Sequence, residues 1–425
     1  MRVALLSTLE PSADDAATPR GLLRLGGRSI AHHQLATALA LGCERVICLA
    51  DGLPGEVIAI QHAAERAGAS FQVTGDGRAV AQLVKPDDEL LVFADGLVAS
   101  PEAVGTLLGG RTGVVVQPVE SGLAAGYERI DLNHAGGGVM RLPGRLAAGL
   151  ADLPGEWNPV SALLRIAVQS SLRQVLLPQA LSDGGRWALV RTDGEAHRLE
   201  PNWLRQHTAR REGGGPGLWL AARLVERLGP ALLHAGTKPH VVALGASALA
   251  LLALGSAWFG FHPAAFAGLA VAWLVRRSAA ILARVHGERP LGETRWLSAE
   301  TGFGVLLDLG FAAIAAWRLA ATHPVANAYV VGGFAALVLL GLLRLLPPLF
   351  AGAKWSGWLE DRLVLGFALA AASLSSVFGL ALMAASLALL AFGLIAAHEA
   401  RTPPGEPSTG PQPLAGGEDE RLTRP

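Results

Sequence analysis

Six apolar segments fill the second half of this chain, from about Val241 to Ala397, a succession that buried helices of a soluble protein rarely produce. They read as Val241–Phe259, Pro263–Val275, Phe303–Ala321, Val325–Leu343, Leu363–Ser375 and Val377–Ala397, paired into three hairpins. Several reach about 17–20 residues, the length a helix needs to cross roughly 30 Å of hydrocarbon. The second becomes long enough if Arg276 and Arg277 snorkel, or if the helix continues to Arg284. The last two form one stretch of about 35 apolar residues, too long for one crossing, and divide at Ser375–Ser376 and Gly379. An integral membrane protein is expected, with a large soluble domain in front.

Charge is scarce and segregated. Only 16% of residues are charged and the formal net charge is zero, so nothing global suggests a nucleic-acid partner. Most charges lie in residues 1–235, almost none in the spans. Residues 402–425 are Pro/Gly-rich and polar, and disorder is expected there because too little apolar surface is available to offset ordering. Cys43 and Cys48 match no metal spacing and read as reduced core thiols. The loop after the second span carries Arg276, Arg277, Arg284, Arg289 and Arg295, and the loop after the fourth carries Arg344, Lys354 and Arg362. The remaining connections carry no Lys or Arg. Both long loops, the N-terminal domain and the C-terminal tail are therefore expected in the cytoplasm of a bacterial-type inner membrane. No cleavable signal is read at Met1–Thr8.

Residues 1–210 alternate strand-like and helix-like segments. Val3–Leu6, Arg45–Leu49, Glu89–Ala94 and Val114–Val116 read as strands, Ile30–Leu41 and Pro54–Ala67 as helices. This predicts an α/β domain with a mostly parallel sheet covered on both faces, its ligand site at the carboxyl ends of the strands, in the loop after Leu6 and the turn at Asp95. Residues 155–210 read as an appended part: an amphipathic helix with Leu163, Leu164, Ile166 and Ala167 inward, then a strand at Arg186–Arg191 and a helix over Glu200–Leu204. His32 and His33 are adjacent, so on a helix they cannot face one metal, and they read as solvent-facing or capping residues.

Thr18–Gln34, TPRGLLRLGGRSIAHHQ, and the later FADG at Phe93–Gly96 resemble the nucleotidyltransferases that transfer nucleoside monophosphates to phosphorylated sugars or polyols. The resemblance covers about the first 100 residues. It implies a nucleotide site on Arg20, Gly26, Gly27, Asp95 and Gly96, with Asp95 and Asp131 as ligands of Mg2+. The departures are specific. The family's first loop is Gly-rich and basic because backbone N–H groups and a cation cradle a triphosphate. Here Ser7–Thr18 has no glycine and three acids, a combination that repels phosphate, and Arg20 replaces the family lysine.

Gly217–His234 has an apolar face (Leu218, Leu220, Leu224, Leu228, Leu232) opposite arginines, the pattern of an interfacial helix over residues 217–235 or of an ordinary connector. Such a helix, then TKPH and six spans over residues 238–398, resembles in architecture the CDP-alcohol phosphatidyltransferases, including members fused to a nucleotidyltransferase-like domain. The family's D-x2-D-G-x2-A-R-x8-G-x3-D-x3-D motif holds two divalent ions on four aspartates. Anchored on Ala283-Arg284, the motif's acidic positions here hold Arg276, Ala279, Trp296 and Glu300, with Gly292 one residue short of the glycine position. Catalytic candidates are thus Asp95, Glu300 and Asp308, with Glu293 a further acid beside them. Arg276, Arg277 and Arg284 are candidates for a lipid headgroup or phosphate. Asp308, inside the third span, reads either as the remnant of a polar cavity or as an ion-pair partner of Arg276 or Arg284. Glu360-Asp361-Arg362 reads as an interface anchor.

Two functions follow. One is a binding, regulatory or scaffolding protein of phospholipid or envelope metabolism whose catalytic sites have degenerated. The other is an active transferase, the cytoplasmic half using Arg20 and Asp95, or the membrane half using a CDP-linked donor. A transporter is disfavoured because no pair of Gly/Pro-broken spans occurs. Membrane lipid and a nucleotide or CDP-linked ligand are the expected partners, and Ala-rich helix faces suit a homodimer.

Overall fold

A computed structural model describes residues 1–208, 214–234, 239–285, 299–322, 328–350 and 355–401. Arg289, Gly292, Glu293, Arg295, Trp296, Lys354 and the expected disordered tail, residues 402–425, lie outside them.

The N-terminal half is built on a seven-stranded sheet: β1 (Arg2–Ser7), β2 (Arg45–Leu49), β3 (Ser70–Thr74), β4 (Glu89–Phe93), β5 (Gly113–Pro118), β6 (His134–Pro143) and β7 (Gln174–Leu176). Their spatial order is β7-β5-β6-β4-β1-β2-β3. β1 pairs parallel with both β2 and β4, Val3 lying between Arg45 and Leu90. The inner strands are continuous apolar runs because helices cover both faces, as parallel sheets require. The expected mostly parallel α/β domain is present. The exception is β6, antiparallel to both β4 and β5. Its sequence, HAGGGVMRLP, carries three consecutive glycines that mask a strand pattern. Burial pushes the Cys43 and Cys48 thiols up to about 12, in keeping with inert core residues.

Two short ribbons flank the sheet, Arg24–Leu25 with Arg28–Ser29 and Leu97–Ala99 with Trp187–Leu189. The helix Asp193–Thr208 lays Trp203 and Leu204 over them, burying Leu23, Leu25, Ile30 and Val98. The inward face expected of the helix near residue 160 is partly corrected. Pro159–Gln169 buries Val160, Ala162, Leu163 and Ala167, whereas Leu164 lines a cavity and Ile166 is half-buried.

The C-terminal half is helical: α1 (Pro216–His234), α2 (Pro239–Trp258), α3 (His262–Val285), α4 (Ala299–Thr322), α5 (Ala328–Leu349), α6 (Arg362–Ala372) and α7 (Phe378–Arg401). Five of these, α2–α5 and α7, are long and apolar enough to cross a membrane. The fifth expected span is the correction. α6 has 11 residues, about 16 Å at 1.5 Å per residue, about half a bilayer core. Asp361 caps its start and Arg318 donates to the carbonyl of Ser373 at its end, so neither terminus can be extended cheaply. α6 runs through only part of the bundle. Arg362 meets Asp308 about midway along α4, and Ser373 meets Arg318 near the end of α4, where the rings of Trp258 and Trp317 also touch. α7 then returns alongside α5, with Ser386 donating to Ala335 and Gly393 against Leu346. The start of α2 and the end of α7 therefore lie at the same end of the bundle.

α1 packs against the other helices through Ala221 and Val225. Gly217, Ala221, Val225 and Gly229 form its buried ridge, and Leu228 of the expected apolar face is exposed. Gly217 is needed there: a Cβ would stand 2.5 Å from the Asp361 carboxylate and 2.7 Å from Trp273. The reward is a joint cap. One oxygen of buried Asp361 accepts from the Gly217 N–H at 2.6 Å, and the other accepts from Leu363 and Val364. A single carboxylate thus serves the N-termini of α1 and α6, where the helix dipoles favour negative charge.

Candidate functional site

The carboxyl ends of β1 and β4 bring Ser7 and Asp95 together, as the strand order demands. Ser7 Oγ donates to Asp95 Oδ2 at 2.5 Å, and the backbone N–H groups of Leu9 and Glu10 donate to the same oxygen at 3.2 and 3.1 Å. The other oxygen, Oδ1, is buried without a partner among the described residues. Burial pushes the Asp95 carboxyl up to about 6, against the lowering effect of the Ser7 and backbone bonds.

Asp95 lines a cavity of about 380 Å³, walled by Glu10 and Arg20 on one side and by Tyr127, Glu128, Gly138 and Ser161 on others. Arg20 does not face the cavity as a free cation. Its Nη1 holds Glu10 at 2.8 Å, and its Nε donates to the Pro11 carbonyl at 2.9 Å. Asn158 Nδ2 donates to the second Glu10 oxygen at 3.0 Å, so the whole Glu10 carboxylate is engaged. Asp14 accepts from Ser12 and from the Asp193 N–H, while Asp15 accepts from Thr18 and the Ala17 N–H. The acids of this loop are thus what fold it. The N–H groups of Leu9 and Glu10 are given to Asp95.

Several sequence candidates fall elsewhere. Gly26 and Gly27 make the tight turn between Arg24–Leu25 and Arg28–Ser29, at φ of 60° and 79°. A Cβ on Gly26 would stand 2.6 Å from Trp203, and its N–H donates to Glu200, so this glycine seats the Asp193–Thr208 helix and does not line the cavity. Gly96 adjoins the site as a turn whose Cβ would strike the Val190 carbonyl. Asp131 is exposed and accepts from the Asn133 and His134 N–H groups, organising a hairpin turn away from the cavity wall. Backbone donors and His134 hold its carboxyl below the usual range. Adjacent His32 and His33 serve packing: His33 meets the Leu25 carbonyl and the Trp203 ring, and His32 contacts Arg28.

Asp95 keeps one carboxylate oxygen without a partner, and no three His, Cys, Asp or Glu residues converge on one point among the described residues. In the helical half the candidate acids are paired and apart. Glu300 bonds Arg277, while Asp308 is held by Arg344 Nε at 2.6 Å and Arg362 Nε at 2.8 Å. The partner pattern was hidden in sequence because α4 meets α5 and α6 across long separations. Arg284 falls within the last turn of α3. Sequence reading missed Ser7, Glu10, Tyr127, Glu128, Asn158 and Ser161. Only Asn158 carried a local signal, Asn before Pro at a helix start, which the structure uses as a cap as well.

No family profile and no curated protein matches this chain. Among solved structures, it is similar to a UDP-glucose pyrophosphorylase from Acinetobacter baumanii, at 11% identity and a TM-score of 0.36, over 49% of this chain and 94% of that one. It is also similar to a nucleotidyl transferase from Methanothermobacter thermautotroptrophicus, at 15% identity and a TM-score of 0.32, over 48% and 99% of the two chains. Both overlaps lie in the N-terminal half.

Proposed function

We propose that this chain is an inner-membrane protein whose cytoplasmic, nucleotidyltransferase-like domain binds a polyhydroxyl ligand, neutral or amine-bearing, and does not hold a nucleoside triphosphate. The likeness to nucleotidyltransferases in this reading rests on Thr18–Gln34 and Phe93–Gly96. The observation that carries the reading is the Glu10–Arg20 pair: the cation that would meet phosphate is neutralised from within its own loop. Asp95, Glu10 and Glu128 line the cavity against Arg20 alone, so an entering triphosphate meets excess negative charge at low dielectric. The cavity volume lies at the small end for ligand sites. Membrane anchoring, together with the architectural resemblance to CDP-alcohol phosphatidyltransferases, supports a regulatory role in phospholipid or envelope metabolism.

The test is titration of the full-length protein in detergent with CTP or UTP and Mg2+, followed calorimetrically. No saturable binding tighter than about 1 mM is expected. A second reading, an active nucleotidyl transferase, is favoured by the presence of Arg20 and Asp95 on one cavity. Transfer of labelled nucleotide to a phosphorylated polyol, abolished by Asp95→Ala, would establish that reading and remove the first.

A further inference from the structure

The membrane half holds a basic cluster whose charges do not balance. Four residues on one face of α4, Glu300, Phe303, Gly304 and Asp308, stand at helical spacing i, i+3, i+4 and i+8. Each meets an arginine from another helix. Arg277 of α3 bonds Glu300 and lies over Trp273, its Cζ 5.4 Å from the ring centroid. Arg276 lies over Phe303, at 5.3 Å. Arg344 of α5 comes within 3.0 Å of where a Cβ on Gly304 would be, and it shares Asp308 with Arg362 of α6. Among the described residues, four guanidinium groups thus face two carboxylates. Asp361, next to Arg362 in sequence, is committed to two helix N-termini.

The excess has an address. Arg276 has no carboxylate partner among the described residues, and its Nε is buried with no acceptor. Arg344 spends only Nε on Asp308 and keeps 39% of its side chain exposed. These two meet adjacent residues of α4, Phe303 and Gly304. Both contacts lie about one turn from the start of α4 and the end of α5, the depth at which lipid headgroups and interfacial Trp residues sit. A surplus cation next to apolar helices calls for a counter-ion, and planar guanidinium forks match phosphate oxygens.

We propose that Arg276 and Arg344 bind a phosphate group at this face of α4, with Arg277–Glu300 and Asp308–Arg362 fixing the arginines on either side. The sequence alone pointed to Arg276, Arg277 and Arg284. The geometry moves the site inward to Arg344 and leaves Arg277 already paired. The phosphate belongs either to an anionic lipid or to a soluble phosphate ester, and two experimental arms separate these sources.

In the first arm, full-length protein is reconstituted in nanodiscs of phosphatidylcholine with or without phosphatidylglycerol, and lipid retained after extraction is counted by native mass spectrometry. In the second, inorganic phosphate and glycerol phosphate are titrated into protein in phosphatidylcholine nanodiscs. Retention of phosphatidylglycerol, or saturable phosphate binding, is expected to fall about tenfold in Arg276→Gln and to persist substantially in Arg276→Lys. Arg344→Gln is expected to fall likewise. Because Arg344→Gln also breaks an ion pair, its circular dichroism is compared with that of Arg276→Gln, which breaks none. Binding in either arm that depends on Arg276 supports the site and names its source. Binding unchanged in Arg276→Gln, or no binding in either arm, overturns it.

Discussion

Asp95 is the residue where stability and chemistry oppose each other. Its carboxyl is raised from 3.8 to about 6 by burial, so between pH 4 and 6 the folded protein keeps a proton that the unfolded chain releases. Stability from this group therefore declines as pH rises through that window, and the penalty is complete above it, at about 3 kcal/mol. Asp95→Asn keeps one oxygen for Ser7 and the two N–H donors while removing the charge. It is expected to raise the thermal midpoint by several degrees at pH 7.5 and to change little at pH 4, as scanning calorimetry in detergent would register; equal midpoints at pH 7.5 would contradict it. Glu10 offers a complementary change. Glu10→Gln leaves Arg20 without its countercharge, and inorganic pyrophosphate is expected to bind this variant at millimolar concentration and not to bind the parent. If it does not bind the variant, the Glu10–Arg20 pair is not what excludes phosphate.

At the scale of elements, the legible parts were those with strong local patterns. The strands β1, β2, β4 and β5 and the helices Ile30–Ala40 and Gly55–Arg66 were read within a residue or two, because apolar runs between Gly turns leave few alternatives. β6 and α6 were not. The glycines at positions 136–138 lie in β6 because neighbours crowd in: a Cβ on Gly137 would stand 2.6 Å from Val115. Nothing local announces that crowding. α6 was read as a full span, Leu363–Ser375, because it opens one long apolar stretch that divides at Ser375–Ser376, whereas its true ends are set by Asp361 and Arg318, one of them on another helix. Of the site, the two strand ends and Asp95 were visible; the engagement of Arg20 by Glu10 was not, since it depends on how an irregular loop folds. The joint cap makes a further prediction. Asp361→Ala removes acceptors from two helix N-termini and should cost about 2 kcal/mol, read as a lowered thermal midpoint. Asp361→Asn, keeping one acceptor, should lose less. Equal losses would mean that the charge, not the cap, matters.

For the molecule as a whole, the ends of the helices decide the topology. Thr322, beside the Trp258–Trp317 contact, lies at the end of the bundle opposite the soluble domain, while His398 near the end of α7 lies at the same end as the start of α2. A cysteine at Thr322 is expected to react with an impermeant maleimide added outside intact cells, and one at His398 only after permeabilisation; both natural cysteines are buried. The reverse pattern would invert the orientation. The bond from Gly217 to Asp361 also has a consequence in time. It joins residues 144 apart in sequence, so α1 leaves the ribosome long before its cap exists. At 5–20 residues per second, that interval is roughly 7–29 s, during which four long apolar helices are made. The soluble domain, finished first, must wait on a nascent chain whose first helix is not yet fastened. A ribosome that stops short of Asp361 would release every long span but the last, with nothing to close the start of α1.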